Sequence, residues 1–147
     1  MITQILIGSV LLLLTIGVAG VSFWLMELTF FGLRNWLLRP PHRIKLMAVL
    51  WLSSVFVLAQ MTAAVWIWAL VFQVLGIFST LEAAVYFALV AFTTLGFGDV
   101  LLPQDWRLLS GMAAANGLLN IGVVTAFMVE GLRQVRLRQL QAMKQES

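Results

Sequence analysis

The chain has 147 residues, 62% of them hydrophobic and only 10% charged, with a formal net charge of +3 and a mean hydropathy of +1.01. Soluble domains carry about 25% charged residues, and so short a chain has too little interior to hide its apolar surplus, so an ordinary soluble fold is excluded. With no cysteine and His42 as the single histidine, disulfides, thiolate metal sites and histidine clusters are excluded as well, and the nine Lys and Arg residues are too dispersed for a nucleic-acid-binding face.

A bilayer core about 30 Å thick takes about 20 helical residues. Three stretches free of Asp, Glu, Lys and Arg are long enough: residues 1–26, 46–81 and 108–129. The first reads as a retained anchor helix. A cleaved signal peptide, with 5–14 as its apolar core and Val18, Ala19 and Gly20 as small residues, is the alternative, but only the α-amino group supplies positive charge before that core. Trp24, Phe30, Phe31 and Trp36 fall where an aromatic belt meets the interface, and residues 28–38 either continue the helix or lie along the surface. Beyond Thr3, Gln4, Ser9, Thr15 and Ser22 the helix has no polar stripe, which predicts a peripheral position.

Arg34, Arg39, Arg43 and Lys45, with Pro40, Pro41 and His42, form a polar connection after the first span, and Arg133, Arg136, Arg138 and Lys144 follow the third. Eight of the nine Lys and Arg thus sit in two segments, four in each. The positive-inside rule puts both in the cytoplasm, with two crossings between them, the N-terminus outside and the C-terminus cytoplasmic in a multi-pass protein of the cell membrane. Residues 74–106 then form an external connection that dips into the membrane.

Within the second span, Gln60 and Thr62 are expected to contact protein, since an unsatisfied amide is costly in lipid. In the connection, Ser79-Thr80-Leu81-Glu82 reads as a capping box in which the Ser79 hydroxyl accepts from the Glu82 N–H. That predicts a helix from Thr80 to Phe92, roughly 18 to 20 Å long, which enters the bilayer and stops midway. On the third span Asn116 and Asn120 share a face, either as a polar ring lining a pore or as partners in interhelical hydrogen bonds. Gly111, Gly117 and Gly122, with the alanines at 113–115, suit close packing, or at Gly117 or Gly122 a gating bend. Glu130 and Arg133 read as a solvated surface pair.

After the short helix comes Thr93-Thr94-Leu95-Gly96-Phe97-Gly98-Asp99. This segment resembles the selectivity filter of the potassium channel pore-domain family, whose usual form is Thr-Val-Gly-Tyr-Gly-Asp, with Leu95 in place of the valine and Phe97 in place of the tyrosine. The resemblance covers residues 46–130, as outer helix, pore helix, filter and inner helix. It leaves outside an N-terminal transmembrane helix with its basic loop, 1–45, and a short basic cytoplasmic tail, 131–147.

The resemblance implies an all-α membrane protein with three transmembrane helices, a re-entrant pore helix and a filter loop, assembled as a homotetrameric pore. Such a protein moves potassium ions passively, is not an enzyme and needs no cofactor, potassium being its permeant ligand. The implied ion-binding positions are Thr94, through hydroxyl and carbonyl, and the carbonyls of Leu95, Gly96, Phe97 and Gly98, with potassium held at the first four. Thr93, Tyr86, Val90 and Asp99 would support the filter. Tyr86 braces Asp99 through a hydrogen bond, and Val90 stands where some members carry a glutamate, so that acid pair is missing. The Leu95 side chain is expected to fit against the pore helix. Asn116, Gly117, Asn120 and Gly122 are the pore-lining or gating candidates.

Physical chemistry supports this reading independently. A dehydrated cation needs several oxygen ligands, which successive backbone carbonyls supply without charge. Glycine at 96 and 98 permits the positive-φ backbone this requires, and the C-terminal end of a short helix favours a cation beside it. Membrane lipids are the expected partners, with anionic headgroups at Arg133, Arg136 and Arg138, or with those residues serving as topology determinants alone. No span carries a voltage sensor's repeated arginines, and residues 131–147 are too few for a ligand-binding gating domain, so sensing is expected to be simple or supplied by another chain. The competing classes are a weakly selective cation channel and a non-conducting membrane interaction protein.

Overall fold

The computed structural model describes residues 1–33 and 42–145. Its order is α1 (Ile2–Gly32), α2 (His42–Val74), α3 (Leu81–Phe92), a single 3-10 turn (Gln104–Trp106) and α4 (Arg107–Gln145), with no strand among the described residues. The three long helices are apolar and long enough to cross a membrane, whereas α3 has 12 residues and at about 18 Å is too short. The helices outrun the predicted spans. α1 continues past Met26 to Gly32, and α4 carries the 131–145 tail as unbroken helix. Arg34, Arg39, Pro40, Pro41 and Trp36 lie outside the described residues, as does the Arg138 side chain.

α2 stops at Val74 because Gly76 takes φ +67 just beyond it. The Ile77 N–H then donates to the Phe72 carbonyl at 3.1 Å and the Gly76 N–H to that of Gln73 at 3.0 Å, a Schellman ending that satisfies the last carbonyls of the helix. The chain turns back into α3, whose start corrects the expected cap. Thr80, not Ser79, is the capping residue, its hydroxyl accepting from the Ala83 N–H at 3.3 Å. Both hydroxyls are competent caps, but it is Thr80 that takes the extended backbone of a cap, and the helix it starts puts Ala84, Phe87, Ala88 and Ala91 into the core. Glu82 remains in the first turn, where its negative charge complements the positive end of the helix dipole.

α3 lies in the cleft between α2 and α4, and the core forms there. Trp68 and Phe72 of α2 are fully buried, and Phe72 meets Phe87 of α3 edge-on, ring centroids 5.4 Å apart at 80°. Leu109 and Ala113 of α4 close the other side.

Within the protomer α1 packs on α4 and α2. It runs parallel to α4 in nearly constant register: Gln4 beside Leu108, Gly8 beside Met112, Phe23 beside Phe127, Met26 beside Gly131. Gly8, Leu11, Thr15, Ala19 and Met26 form its buried stripe, at helical spacing and mostly small, which lets two helices approach closely without a water-driven hydrophobic force. The buried face of α2 includes Gln60, as expected, but Thr62 is exposed on the outer face.

Candidate functional site

The site begins where α3 ends. The N–H of Leu95 donates to the Val90 carbonyl at 3.1 Å and that of Thr94 to Ala91 at 3.0 Å, the same ending as on α2. The position that glycine usually takes in this motif is occupied by Thr94, at φ 57. A β-branched residue there is a true outlier, costing about 1–2 kcal/mol, and such strain concentrates where function requires the geometry. Gly96 at φ 58 and Gly98 at φ 75 follow, so left-handed backbone recurs at every second residue from 94 to 98, while Leu95 and Phe97 keep ordinary φ. Thr93 closes the last turn of α3, its hydroxyl donating to the Leu89 carbonyl at 2.8 Å.

One of the surrounding contacts was expected from the sequence and the others were not. The Tyr86 hydroxyl donates to Asp99 Oδ2 at 2.5 Å, tying the far end of the segment back to α3, and Asp99 Oδ1 accepts from the Val100 N–H at 3.0 Å. The Tyr86 hydroxyl, foremost, holds the Asp99 carboxyl below its usual range. Gln4 is the unforeseen element. Its Oε1 accepts from the Leu108 N–H at 3.1 Å while its Nε2 donates to the Asp105 carbonyl, so a side chain from α1 caps the start of α4. No local signal marks it, because the cap comes from more than a hundred residues away.

The segment is open on the protomer surface. Leu95 and Phe97 are 61% and 65% exposed, so Leu95 does not pack against its own α3 as expected. Val90, Thr94, Gly96, Ser110 and Ala114 face a cleft of about 240 Å³ between the segment and α4, and Val90 brings no acid to it. Among the described residues no group of His, Asp or Glu is arranged to hold a metal ion.

Asn116 and Asn120 resolve toward the interhelical alternative. Both are fully buried inside the bundle of α1, α2 and α4. Thr15 Oγ1 lies 2.6 Å from Asn116 Oδ1, Asn120 Nδ2 donates to Asn116 Oδ1 at 2.9 Å, and Gln60 Nε2 donates to Asn120 Oδ1 at 2.7 Å. They therefore line no lumen in this arrangement. Gly117 is a contact glycine: a Cβ there would sit 1.9 Å from the Phe92 carbonyl oxygen at the end of α3. Gly111 and Gly122 meet nothing within 4 Å, and α4 continues through all three as one helix. Glu130 and Arg133 form the expected exposed pair, 3.9 Å apart.

A family model described as "Ion channel" matches residues 46–134, from the first turns of α2 past the middle of α4. The chain belongs to that ion channel family. No curated protein and no solved structure matches it. The matched part of the channel holds α2, α3, the 93–99 segment and most of α4, while α1 precedes it. An ion channel with three apolar helices long enough to span is a multi-pass membrane protein in contact with lipid.

Proposed function

We propose that the channel is a potassium-selective homotetramer that conducts passively, with residues 93–99 as its filter, 46–130 as its pore unit, 1–45 as an added helix and basic loop, and 131–147 as a basic tail. The observation that carries this reading is the alternation of left-handed backbone at Thr94, Gly96 and Gly98 directly after the short helix α3. Alternating hands turn successive peptide planes to one side, so the carbonyls of Thr94, Leu95, Gly96, Phe97 and Gly98 serve as uncharged ligands for a dehydrated cation, with the Thr94 hydroxyl below them. A ring needs several copies of so short a segment, and the exposure of Leu95 and Phe97 suits a surface that neighbouring copies cover.

In this reading the Gln4 end of α1, the loop after α3 and the start of α4 face outside, and Arg133, Arg136 and Arg138 face the cytoplasm beside anionic lipid headgroups. Charge selection needs no bound group beyond the permeant ion, and the protein performs no chemical reaction. A weakly selective cation channel is the second reading, favoured by the absence of an acid at Val90 and by the bulk of Leu95.

Purified protein reconstituted in liposomes decides between them. Rubidium and potassium uptake far above that of sodium, with a bi-ionic reversal potential well away from zero, is expected. A potential near zero would leave only the second reading, and absence of any cation flux would remove both.

A further inference from the structure

We infer that Thr15 of α1 is a positioning residue for the 93–95 turn, acting through Asn116 and Gly117, so that the helix outside the channel family's matched segment sets the geometry of the conducting one. The inference rests on the proposed role of 93–99 for its functional meaning, though not for its structural test.

Three contacts carry it. The Thr15 hydroxyl has one proton to donate, and its shortest neighbour is Asn116 Oδ1, at 2.6 Å against 3.0 Å for the carbonyls of Leu11 and Leu12. Thr15 and Asn116 are both fully buried, in a polar cluster with Asn120 and Gln60, where an unmade partner is costly. The next residue, Gly117, bears directly on the Phe92 carbonyl, with no room for even a methyl group. Phe92 closes α3, and the N–H groups of Thr93, Thr94 and Leu95 that follow are held by the carbonyls of Leu89, Ala91 and Val90 in the same last turn. A shift of α4 at Asn116 therefore presses or releases the turn in which Thr94 holds its strained φ.

Position singles out Thr15. Other α1 contacts to α4 lie farther from the end of α3, at Gln4 with Leu108, at Gly8 with Met112 and at Phe23 stacked on Phe127, ring centroids 4.3 Å apart. Thr15 bonds α4 one residue from the Phe92 contact. Asn120 and Gln60 extend the bond to α2, so all three long helices meet at the level where α3 ends. The arrangement is a rigid spacer between α1 and the backbone proposed to ligate the ion.

The test is amide hydrogen exchange on the full-length purified protein, paired with rubidium flux. Thr15→Val keeps the shape and removes the donor, while Asn116 Oδ1 retains its bond from Asn120, so the fold is expected to persist. Exchange at the amides of residues 93–95 should rise about fivefold to tenfold, as the loss of one buried hydrogen bond implies. Thr15→Ser should restore parental exchange, because it keeps the donor. Phe23→Leu weakens the α1–α4 packing elsewhere and should leave 93–95 unmoved.

If Thr15→Val is poorly folded, Thr15→Ala, which adds no bulk, is read in the same way. In conducting protein, Thr15→Val should also lower the rubidium-to-sodium flux ratio. Unchanged exchange at 93–95, an equal rise in Phe23→Leu, or a serine variant that behaves like valine would each overturn the inference. A parent protein that passes no ions would instead remove the potassium reading, with the exchange result still deciding the role of Thr15.

Discussion

Thr94 concentrates the tension between stability and function at a single residue. Its φ of 57 suits glycine, so Thr94→Gly should stabilise the turn by about 1 kcal/mol while deleting the hydroxyl and branched side chain that a pore would use. The expected outcome is a higher melting temperature with weaker barium block and poorer potassium selectivity, measured on the same preparation; a glycine variant with unaltered block would show that the hydroxyl is no ligand. Tyr86 and Asp99 act differently, because they share one hydrogen bond. Tyr86→Phe and Asp99→Asn should each shorten open episodes in single-channel recordings, and the double variant should lose little more than either single. The pH dependence has a defined sign. The tyrosine hydroxyl holds the Asp99 carboxyl below its usual range, so the brace is fully present above the ordinary carboxylate range and is lost only as pH falls through the lowered value. Tyr86→Phe has already lost this bond, so it should flatten the acid dependence of the open time, which recordings across an external pH series would detect.

Among the elements, α3 depends on how its two ends are fixed. Thr80→Ala should cost about 1 kcal/mol, the usual worth of a hydroxyl cap, and Ser79→Ala distinctly less; thermal melts of the two variants test the corrected cap directly. The other end rests on Gly117. A methyl group there would collide with the Phe92 backbone, which cannot move aside as a flexible side chain can, so Gly117→Ala should destabilise by about 1–3 kcal/mol or more and disturb the 93–95 turn. Gly122→Ala, with open space around it in a helix interior, should be neutral or stabilising by up to about 1 kcal/mol. If Gly122→Ala is instead the damaging change in flux and Gly117→Ala the mild one, a bend at Gly122 outweighs the packing contact.

For the molecule as a whole, α1 is part of the bundle rather than an appendage. Its small-residue stripe fits α4 along most of its length, Gln4 caps the start of α4, and Thr15 joins the buried polar cluster. Removing residues 1–26 should therefore lower the melting temperature and impair assembly. Native mass measurement in mild detergent should give a tetramer for the parent and a smaller or mixed species for the truncated chain. A homogeneous monomer that still conducts would contradict a pore shared between copies.

Local physics makes the membrane class, the three long helices, the short helix and the glycine-bearing turn legible in the chain itself. Each of these depends on composition, apolar run length and the conformational freedom of Gly96 and Gly98. The Tyr86–Asp99 pair was foreseeable too, from its place in a familiar motif and the short path between the two residues. The tertiary structure decided the remainder. Whether Thr80 or Ser79 caps α3 depends on where the chain leaves its extended backbone as it turns back from α2, and whether Asn116 and Asn120 face a lumen or a neighbour depends on where α1 lies. The chain between 2 and 32 gives no local sign of its partner, because Gln4, Gly8 and Thr15 acquire their roles only against residues more than a hundred positions away. In a helix apolar all round, hydrophobicity does not select the buried face. Close packing of small residues and the cost of unpaired polar groups in lipid select it, and both exist only once the helices meet.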